Sequence, residues 1–279
     1  METKNKVWFV TGASKGMGLT LVKLLLSKGY KVAATSRNAA DLEKQVGESG
    51  PNFLPLGVNI AENEQVKEAI EKTVETFGKL DVVVNNAGYA IYGAIEELSD
   101  QEFCQAIDVN LIGTTNVIRN AMPYLRKQES GHIINFSSSG GYKGYGSSGA
   151  YTAAKFAVIG LTECLADEIK HLGVNATVVA PGFFRTSFLD KGAEMYAKTM
   201  IDGYKTDGMK AWMQSMNGTQ QGDPQKLSQI LIDIAKMKNP PVHLLAGPDA
   251  YQLVQEKIKE DEVERENWKS LTFSTNLDD

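Results

Sequence analysis

Residues 6–29 read KVWFVTGASKGMGLTLVKLLLSKG, and this stretch decides the fold class. An apolar run from Val7 to Val10 ends in Thr11, meets glycines at 12, 16 and 18, and resumes as LTLVKLLLSKG, with leucines at helical spacing. A strand that passes through glycines into a helix can turn tightly and bring its backbone close to a ligand. The helix N-terminus then presents unpaired N–H groups and the positive end of its dipole, which suits a pyrophosphate. Gly12, Ser14, Lys15, Gly16, Met17 and Gly18 are therefore the first candidates for cofactor contact. The spacing is G-x-x-x-G-x-G rather than the general dinucleotide G-x-G-x-x-G, and no Gly-Lys-Ser/Thr follows, so this is not a P-loop. Taken alone, the loop fits either a cofactor cradle or a purely structural turn.

Working outward, short β-branched runs alternate with longer amphipathic segments. The runs are KVAATSR (31–37), FLPLGVNI (53–60), DVVVNNAG (81–88), GHIINFSS (131–138), NATVVAPG (175–182) and PVHLLAG (241–247). Most are continuously apolar, as strands covered on both faces must be. Helical patterns fall between them at 18–28, 62–77, 99–127, 151–171 and 223–237, the last opened by Asp223 as N-cap and Pro224 in the first turn. With right-handed crossovers this βαβ rhythm predicts an α/β fold: a doubly wound, mainly parallel seven-stranded sheet with helices on both faces. No repeat or Pro/Ser-rich linker divides the chain. A single domain over 1–279 is expected, with an insertion-like segment at about 183–222 that follows no strand pattern and a charged helical extension at about 248–279.

Composition narrows the function classes. The 279 residues are 42% hydrophobic and 23% charged, ordinary globular usage, and the net charge of -5 gives no electrostatic ground for binding nucleic acid or an anionic membrane. Cys104 and Cys164 lie in helical patterns rather than a disulfide framework, and the N-terminus lacks the apolar run of a signal peptide or span, so a reducing, cytoplasmic location is expected. His132, His171 and His243 stand far apart with no ligand spacing around them, so no metal site is expected.

In a dinucleotide fold the second strand ends beside the adenosine ribose, where a carboxylate would bind a free 2'-hydroxyl and a cation would take a 2'-phosphate. Here that tip reads AATSRN, placing Ser36 and Arg37 there with Lys15 close by and no carboxylate. Two cations and no anion favour NADP over NAD; the alternative is that both are solvated surface charges.

The stretch SSSGGYKGYGSSGAYTAAKFAVIG (137–160) sets Tyr151 and Lys155 four apart, on one face of a helix, just beyond a strand that ends in serines. Together, TGASKGMG, NNAG at 85–88, Asn110 in DVNLIG, Ser138, Tyr151-x-x-x-Lys155 and PGFFRT at 181–186 stand in the order and spacing of the short-chain dehydrogenase/reductase family. The resemblance covers roughly residues 5–190 and looks closest to the 17β-hydroxysteroid dehydrogenase-like and retinol dehydrogenase-like branch. It implies a Rossmann-type sheet, a nicotinamide cofactor and hydride transfer between an alcohol and a carbonyl. An acid with a pKa near 10 must be brought toward neutrality for that chemistry, and the Lys155 ammonium is expected to depress the Tyr151 phenol. The resemblance further implies that Lys155 holds the nicotinamide ribose, that Ser138 orients the substrate oxygen, and that Asn110 kinks the long helix and positions a relay water. Ser137 and Ser139 are then plain loop residues.

By the same resemblance, Asn86, Ala87 and Gly88 lie against the adenosine half of the cofactor, Pro181 and Gly182 turn beside the nicotinamide, and Thr186 binds its carboxamide. Asn59 stands where the family usually has an aspartate facing the adenine. The segment 183–216, with five of the nine methionines, is expected to cover a medium-sized, largely apolar carbonyl or secondary alcohol. A non-catalytic nucleotide sensor on the same fold, or an epimerase or dehydratase, would be expected to lack Tyr151 or Lys155, or to show another glycine spacing. The apolar helices 99–127 and 151–171 suggest a homo-oligomer, a dimer or tetramer.

Overall fold

The structure, a computed structural model, describes residues 6–47, 50–189 and 195–277. In β1 (Val7–Val10) successive side chains point to opposite faces, as strand pleating requires. Trp8 and Val10 join a core with Leu21 and Leu25 of α1 (Gly16–Ser27) and, further along the chain, Leu227 and Leu231. Val7 and Phe9 join a second core with Ile70, Leu125 and Leu165 on the other side. All four strand residues are buried, which is why the run carries no polar alternation.

The chain continues through β2 (Lys31–Ser36), α2 (Ala39–Val46), β3 (Phe53–Gly57), α3 (Asn63–Phe77), β4 (Val82–Asn85) and a short β5 (Ile91–Tyr92). Next come α4 (Asp100–Ile107), α5 (Gly113–Gln128), β6 (Gly131–Phe136), α6 (Gly149–Ile169), β7 (Val174–Pro181), β8 (Met195–Tyr196), α7 (Thr206–Met216) and α8 (Pro224–Ile234). β9 (His243–Ala246), α9 (Pro248–Asn267) and α10 (Lys269–Phe273) close it. The central sheet is the expected seven-stranded, wholly parallel one, ordered β3-β2-β1-β4-β6-β7-β9. Its order reverses between β1 and β4, so the crevice at their carboxyl ends is where a ligand belongs in such a sheet. No helix among the described residues is long and apolar enough to cross a membrane.

Several boundaries differ from the sequence reading. The expected helix 99–127 is broken by a π-helical turn at Asp108–Ile112, because the buried Asn110 donates its side-chain amide to the Ala106 carbonyl, 2.9 Å away and four residues back, inserting into the helical ladder. α1 begins at Gly16, and α6 begins at Gly149, which puts Tyr151 inside the first turn. The segment read as strandless contributes β8, which pairs with β5 in a separate two-stranded sheet, and it also holds α7. Two-residue strands are too short to leave a period in the sequence. α2 was not anticipated; Asn38 caps it by accepting from Ala40 N and Asp41 N. Asp223 caps α8 as expected, accepting from Gln225 N and Lys226 N.

Ile133 and Ile134 are neighbours in β6, fully buried in opposite cores. Each truncation to Ala should cost about 2–5 kcal/mol, and the two losses should be close to additive because the side chains enter different cores. Denaturant unfolding of both single variants and the double tests this; strong non-additivity would mean the two faces are not independently covered.

Candidate active site

The glycine loop is shaped by two left-handed residues, Gly12 at φ 67° and Gly16 at φ 58°. At Gly12 a Cβ would also fall 2.6 Å from the Ala87 Cα, so β1's exit and β4's exit lie in backbone contact. Thr11 Oγ accepts from Asn86 N (3.1 Å) and Ala87 N (3.0 Å), and Asn86 Nδ2 donates back to Gly12 O (3.0 Å) and Thr11 O (2.9 Å). α1 starts beyond this loop with no side-chain cap and no acidic residue in its first turn, leaving its N–H groups and positive dipole for an anion. Thr186 stands across the loop, 3.7 Å from where a Gly16 Cβ would be.

The remaining cofactor candidates behave differently from one another. Lys15 and Arg37 are exposed, and neither forms an ion pair with the described residues. Ser36 Oγ donates to Asn38 O at 2.6 Å, folding its own turn. Asn59 uses its side-chain oxygen locally, accepting from Ala61 N at 3.3 Å, which leaves its NH2 group and one lone pair of that oxygen for an adenine edge. Ser14 is half-buried in the loop, while Met17, Pro181, Gly182 and Thr186 line the cavity described below.

Ser138, Tyr151 and Lys155 converge at the end of β6. Ser138 hydrogen-bonds the Tyr151 phenol and accepts from Gly140 N (3.1 Å). Ser137 is buried and donates to Lys155 O at 2.8 Å, so it anchors α6 rather than idling in the loop. Lys155 donates to Phe136 O at 2.9 Å, and its Nζ lies 5.7 Å from the Tyr151 ring centroid. The expected depression of the phenol is not what the chain itself produces. Burial pushes Tyr151 above its ordinary value, against the opposing Ser138 hydrogen bond, and the same burial lowers Lys155 from 10.5 to about 8.

Asn110 belongs to the same cluster. Its Nδ2 donates to Tyr89 O (3.0 Å) and Ala106 O, while its buried Oδ1 has no partner among the described residues. A Cβ on Gly88 would fall 2.5 Å from that Oδ1 and 3.4 Å from Lys155 Nζ, so an unmet acceptor and a cation face one stretch of side-chain-free backbone. The open helix end, the exposed pair of cations and this orphaned acceptor fit a nicotinamide dinucleotide and a relay water.

Above Ser138 and Tyr151 lies a cavity of about 320 Å³. Its far wall is apolar, from Tyr92, Phe183, Leu189, Met209, Trp212 and Met213, with Phe183 meeting Trp212 edge-on at 5.7 Å. None of the residues that line it is charged. Leu253 of α9 completes the wall, and α9 is tied down by Asp249, which accepts from Phe183 N at 2.7 Å, and by Glu260, which pairs with Lys143 at 2.7 Å. The sequence held no signal for Leu253 or Asp249 because their role depends on where α9 returns.

A family model described as short chain dehydrogenase matches residues 6–197. The chain belongs to the short-chain dehydrogenase family. Oxidoreductase BOA17 of Botryotinia fuckeliana is 35% identical over 97% of this chain and 99% of its own. The 3-ketodihydrosphingosine reductase of Bacteroides thetaiotaomicron is 32% identical over 87% of this chain and 88% of its own. A short-chain dehydrogenase from Streptomyces avermitilis superposes with a TM-score of 0.89 at 28% identity, covering 97% of this chain and 100% of that one. ElxO with NADP bound gives 0.72 at 28% identity, covering 86% and 96%. This short-chain dehydrogenase is thus an oxidoreductase of CH–OH and C=O groups that works with a nicotinamide cofactor.

The buried ammonium gives a stability test. With its pKa lowered to about 8 in the fold, charging Lys155 at neutral pH costs about 3 kcal/mol relative to the unfolded chain. The folded state binds fewer protons between about pH 8 and the ordinary lysine value, so this contribution to stability rises with pH across that window and the penalty is fully present below it. Lys155→Met also loses the charge-assisted hydrogen bond to Phe136 O, worth about 1.5–3 kcal/mol. It should therefore be at least as stable as wild type at pH 7, by up to about 1.5 kcal/mol, with any gain shrinking at pH 9.5. A loss of stability at pH 7 in denaturant unfolding would contradict the burial argument.

Proposed function

We propose that this dehydrogenase interconverts a neutral, medium-sized, largely apolar ketone or aldehyde and its alcohol, using NADP(H) in preference to NAD(H). The observation that carries the substrate class is the cavity joining Ser138 and Tyr151 to an aromatic and methionine wall without a charged residue. A carboxylate or phosphate on the substrate would be desolvated there without a partner, at a cost of several kcal/mol. The relative named for 3-ketodihydrosphingosine supports a carbonyl substrate.

The cofactor supplies the hydride when bound. Gly12, Ser14, Lys15, Gly16, Met17 and Gly18 would hold its phosphates; Ser36, Arg37 and Asn59 would face the adenosine end, with Asn86, Ala87 and Gly88 beneath it. Pro181, Gly182 and Thr186 would flank the nicotinamide. Ser138 donates to the substrate oxygen and orients it, and Tyr151 gives that oxygen its proton in reduction or takes it in oxidation. Lys155 holds the ribose and, through its charge, favours the phenolate as it forms. Asn110 offers its free Oδ1 to the water that refills the proton. The described residues act as one unit, with 183–189 and 195–222 over the substrate; the rest of the expected 1–279 domain and 183–222 segment lies outside the described residues. Ile112 and Phe156, exposed on the π turn and α6, support a homo-oligomer.

Because burial raises the Tyr151 phenol, the acid keeps its proton through neutral pH. Reductive kcat should stay level there and fall only as pH climbs into the alkaline range, with the oxidative rate rising in mirror image. Tyr151→Phe should lower kcat by about 10²–10⁴ while NADPH affinity changes less than about twofold, since only a hydroxyl is lost. Rates followed at the cofactor's absorbance with a panel of apolar ketones decide this; a Tyr151→Phe enzyme that keeps most of its turnover would sink the assignment.

NADPH should bind at least about tenfold tighter than NADH, a difference of about 1.4 kcal/mol that pairing of Lys15 and Arg37 with a 2'-phosphate can supply. Titrating both cofactors into wild type and Arg37→Asp tests it. The variant should turn the preference toward NADH, and equal affinities in the wild type would refute the reading.

A further inference from the structure

Behind the cavity, one charged group has no role in proton or hydride transfer and yet is covered from solvent. Glu97, in the turn between β5 and α4, is 2% exposed. No lysine, arginine or histidine among the described residues pairs with it. A buried carboxylate without a counter-ion needs donors instead, and Glu97 collects them from separate stretches of chain. Its Oε2 accepts from Ala94 N (2.7 Å) in its own turn and from Thr206 Oγ (2.6 Å) at the first residue of α7. Its Oε1 accepts from Ile201 N (3.0 Å). These donors hold its carboxyl below the usual carboxylate range, Thr206 most of all.

The network continues toward the proton donor. Thr206 gives its proton to Glu97 and accepts from Ser147 Oγ at 3.0 Å, while Ser147 O accepts from Gly93 N at 2.9 Å. Ser147 is held at φ 62°, a left-handed backbone that a residue with a Cβ adopts at a cost on the order of 1 kcal/mol. It stands two residues before α6, four before Tyr151. On the other side, Thr206 begins the helix whose Met209, Trp212 and Met213 form the cavity wall. Glu102 secures the same segment upstream, accepting from Lys198 N at 3.2 Å.

We propose that Glu97 is a positioning residue that sets the substrate wall, α7, against the entry to the catalytic helix, α6. The inference rests on the reading of this cavity as the substrate site. Glu97 touches neither substrate nor cofactor; it fixes the separation between the residues that grip an apolar substrate and the phenol that protonates it. The glycine loop is tied to β4 through Thr11 and Asn86 and lies outside this network, so Glu97 governs substrate fit and leaves cofactor binding alone.

Glu97→Gln keeps the shape and places an NH2 group where an oxygen met donors, so it breaks the network. Thr206→Val removes the central hydroxyl, and Thr206→Ser restores it. The full-length wild type and these three variants are compared by amide hydrogen exchange, by NADPH titration, and by kcat and KM for an apolar ketone. Glu97→Gln and Thr206→Val should speed exchange over 198–209 by about tenfold and raise KM by about tenfold, equivalent to about 1.4 kcal/mol. They should leave kcat within about threefold and NADPH affinity within about twofold, and Thr206→Ser should match wild type. Wild-type exchange over 198–209 in both broken variants, or faster exchange with unchanged KM, overturns the proposal. So does faster exchange through the whole sheet with kcat, KM and NADPH affinity lost together, which marks a role in stability alone. Should Glu97→Gln fail to fold, the Thr206 pair carries the same outcomes. Exchange and NADPH titration need no turnover, so a wrong substrate class shows separately, as the lack of any reduced ketone in wild type.

Discussion

Parallel pairing of β1 with β4, Trp8 opposite Val82 and Val10 opposite Val84, sends both strands out at the same edge of the sheet. Two loops from distant parts of the sequence must then share one small space. Gly12 meets the Ala87 backbone there, and four hydrogen bonds cross the gap between Thr11 and Gly12 on one side and Asn86 and Ala87 on the other. With the loops locked together, the N-terminus of α1 is fixed in direction, and the backbone around Gly88 is fixed against Lys155 and Asn110. The placement of β6 beside β4 then brings Ser138 and the start of α6 to the same edge. Every group assigned to the chemistry hangs on that one edge of a sheet whose two faces are sealed by apolar side chains.

The site is bought with stability. Lys155 is an ammonium with one carbonyl partner, Asn110 keeps a buried oxygen unmet, and Ser147 sits in a backbone region that favours glycine. Each is unfavourable for the fold and each faces the cavity, the glycine-lined backbone or the loop into α6. Structures hold such strain where the surroundings over-determine it, and here two packed cores do so. That a carboxylate as buried as Glu97 carries no such deficit, with every oxygen supplied by a donor, is consistent with a group that organises its neighbours rather than reacting.

The sequence spoke most clearly where local rules act. Apolar runs marked the strands, most plainly β1 and β4 at the centre of the sheet, where burial on both faces leaves no polar alternation, and Asp223-Pro224 marked a helix start because both residues suit unpaired N–H groups. Tyr151 and Lys155 could be placed on one helical face from spacing alone, and the structure brings them together with Ser138 and Asn110. What spacing could not give was direction: Lys155 aims at Phe136 O, and burial raises the phenol against the opposing Ser138 hydrogen bond. β5, β8 and the network around Glu97 were illegible for another reason. Their partners lie about a hundred residues away, joined by single hydrogen bonds that leave no period.

The C-terminal helix shows the same limit at its furthest reach. Its sequence reads as a charged helical extension, and most of α9 beyond Val254 is exposed or only half-buried. Yet its first turn carries Asp249, which accepts from Phe183 N just past the β7 turn, and its second carries Leu253, which lines the cavity. A Cβ on Gly182 or Gly247 would collide with the Asp249 carboxylate, so the ends of β7 and β9 are both shaped to admit it. The ion pair between Lys143 and Glu260 then joins the outer part of α9 to the loop between Ser138 and Tyr151. A helix that grips both the turn after β7 and the loop leading to the phenol is part of the cavity's frame. Changes in its first two turns, or at Glu260, therefore act on the frame of the site.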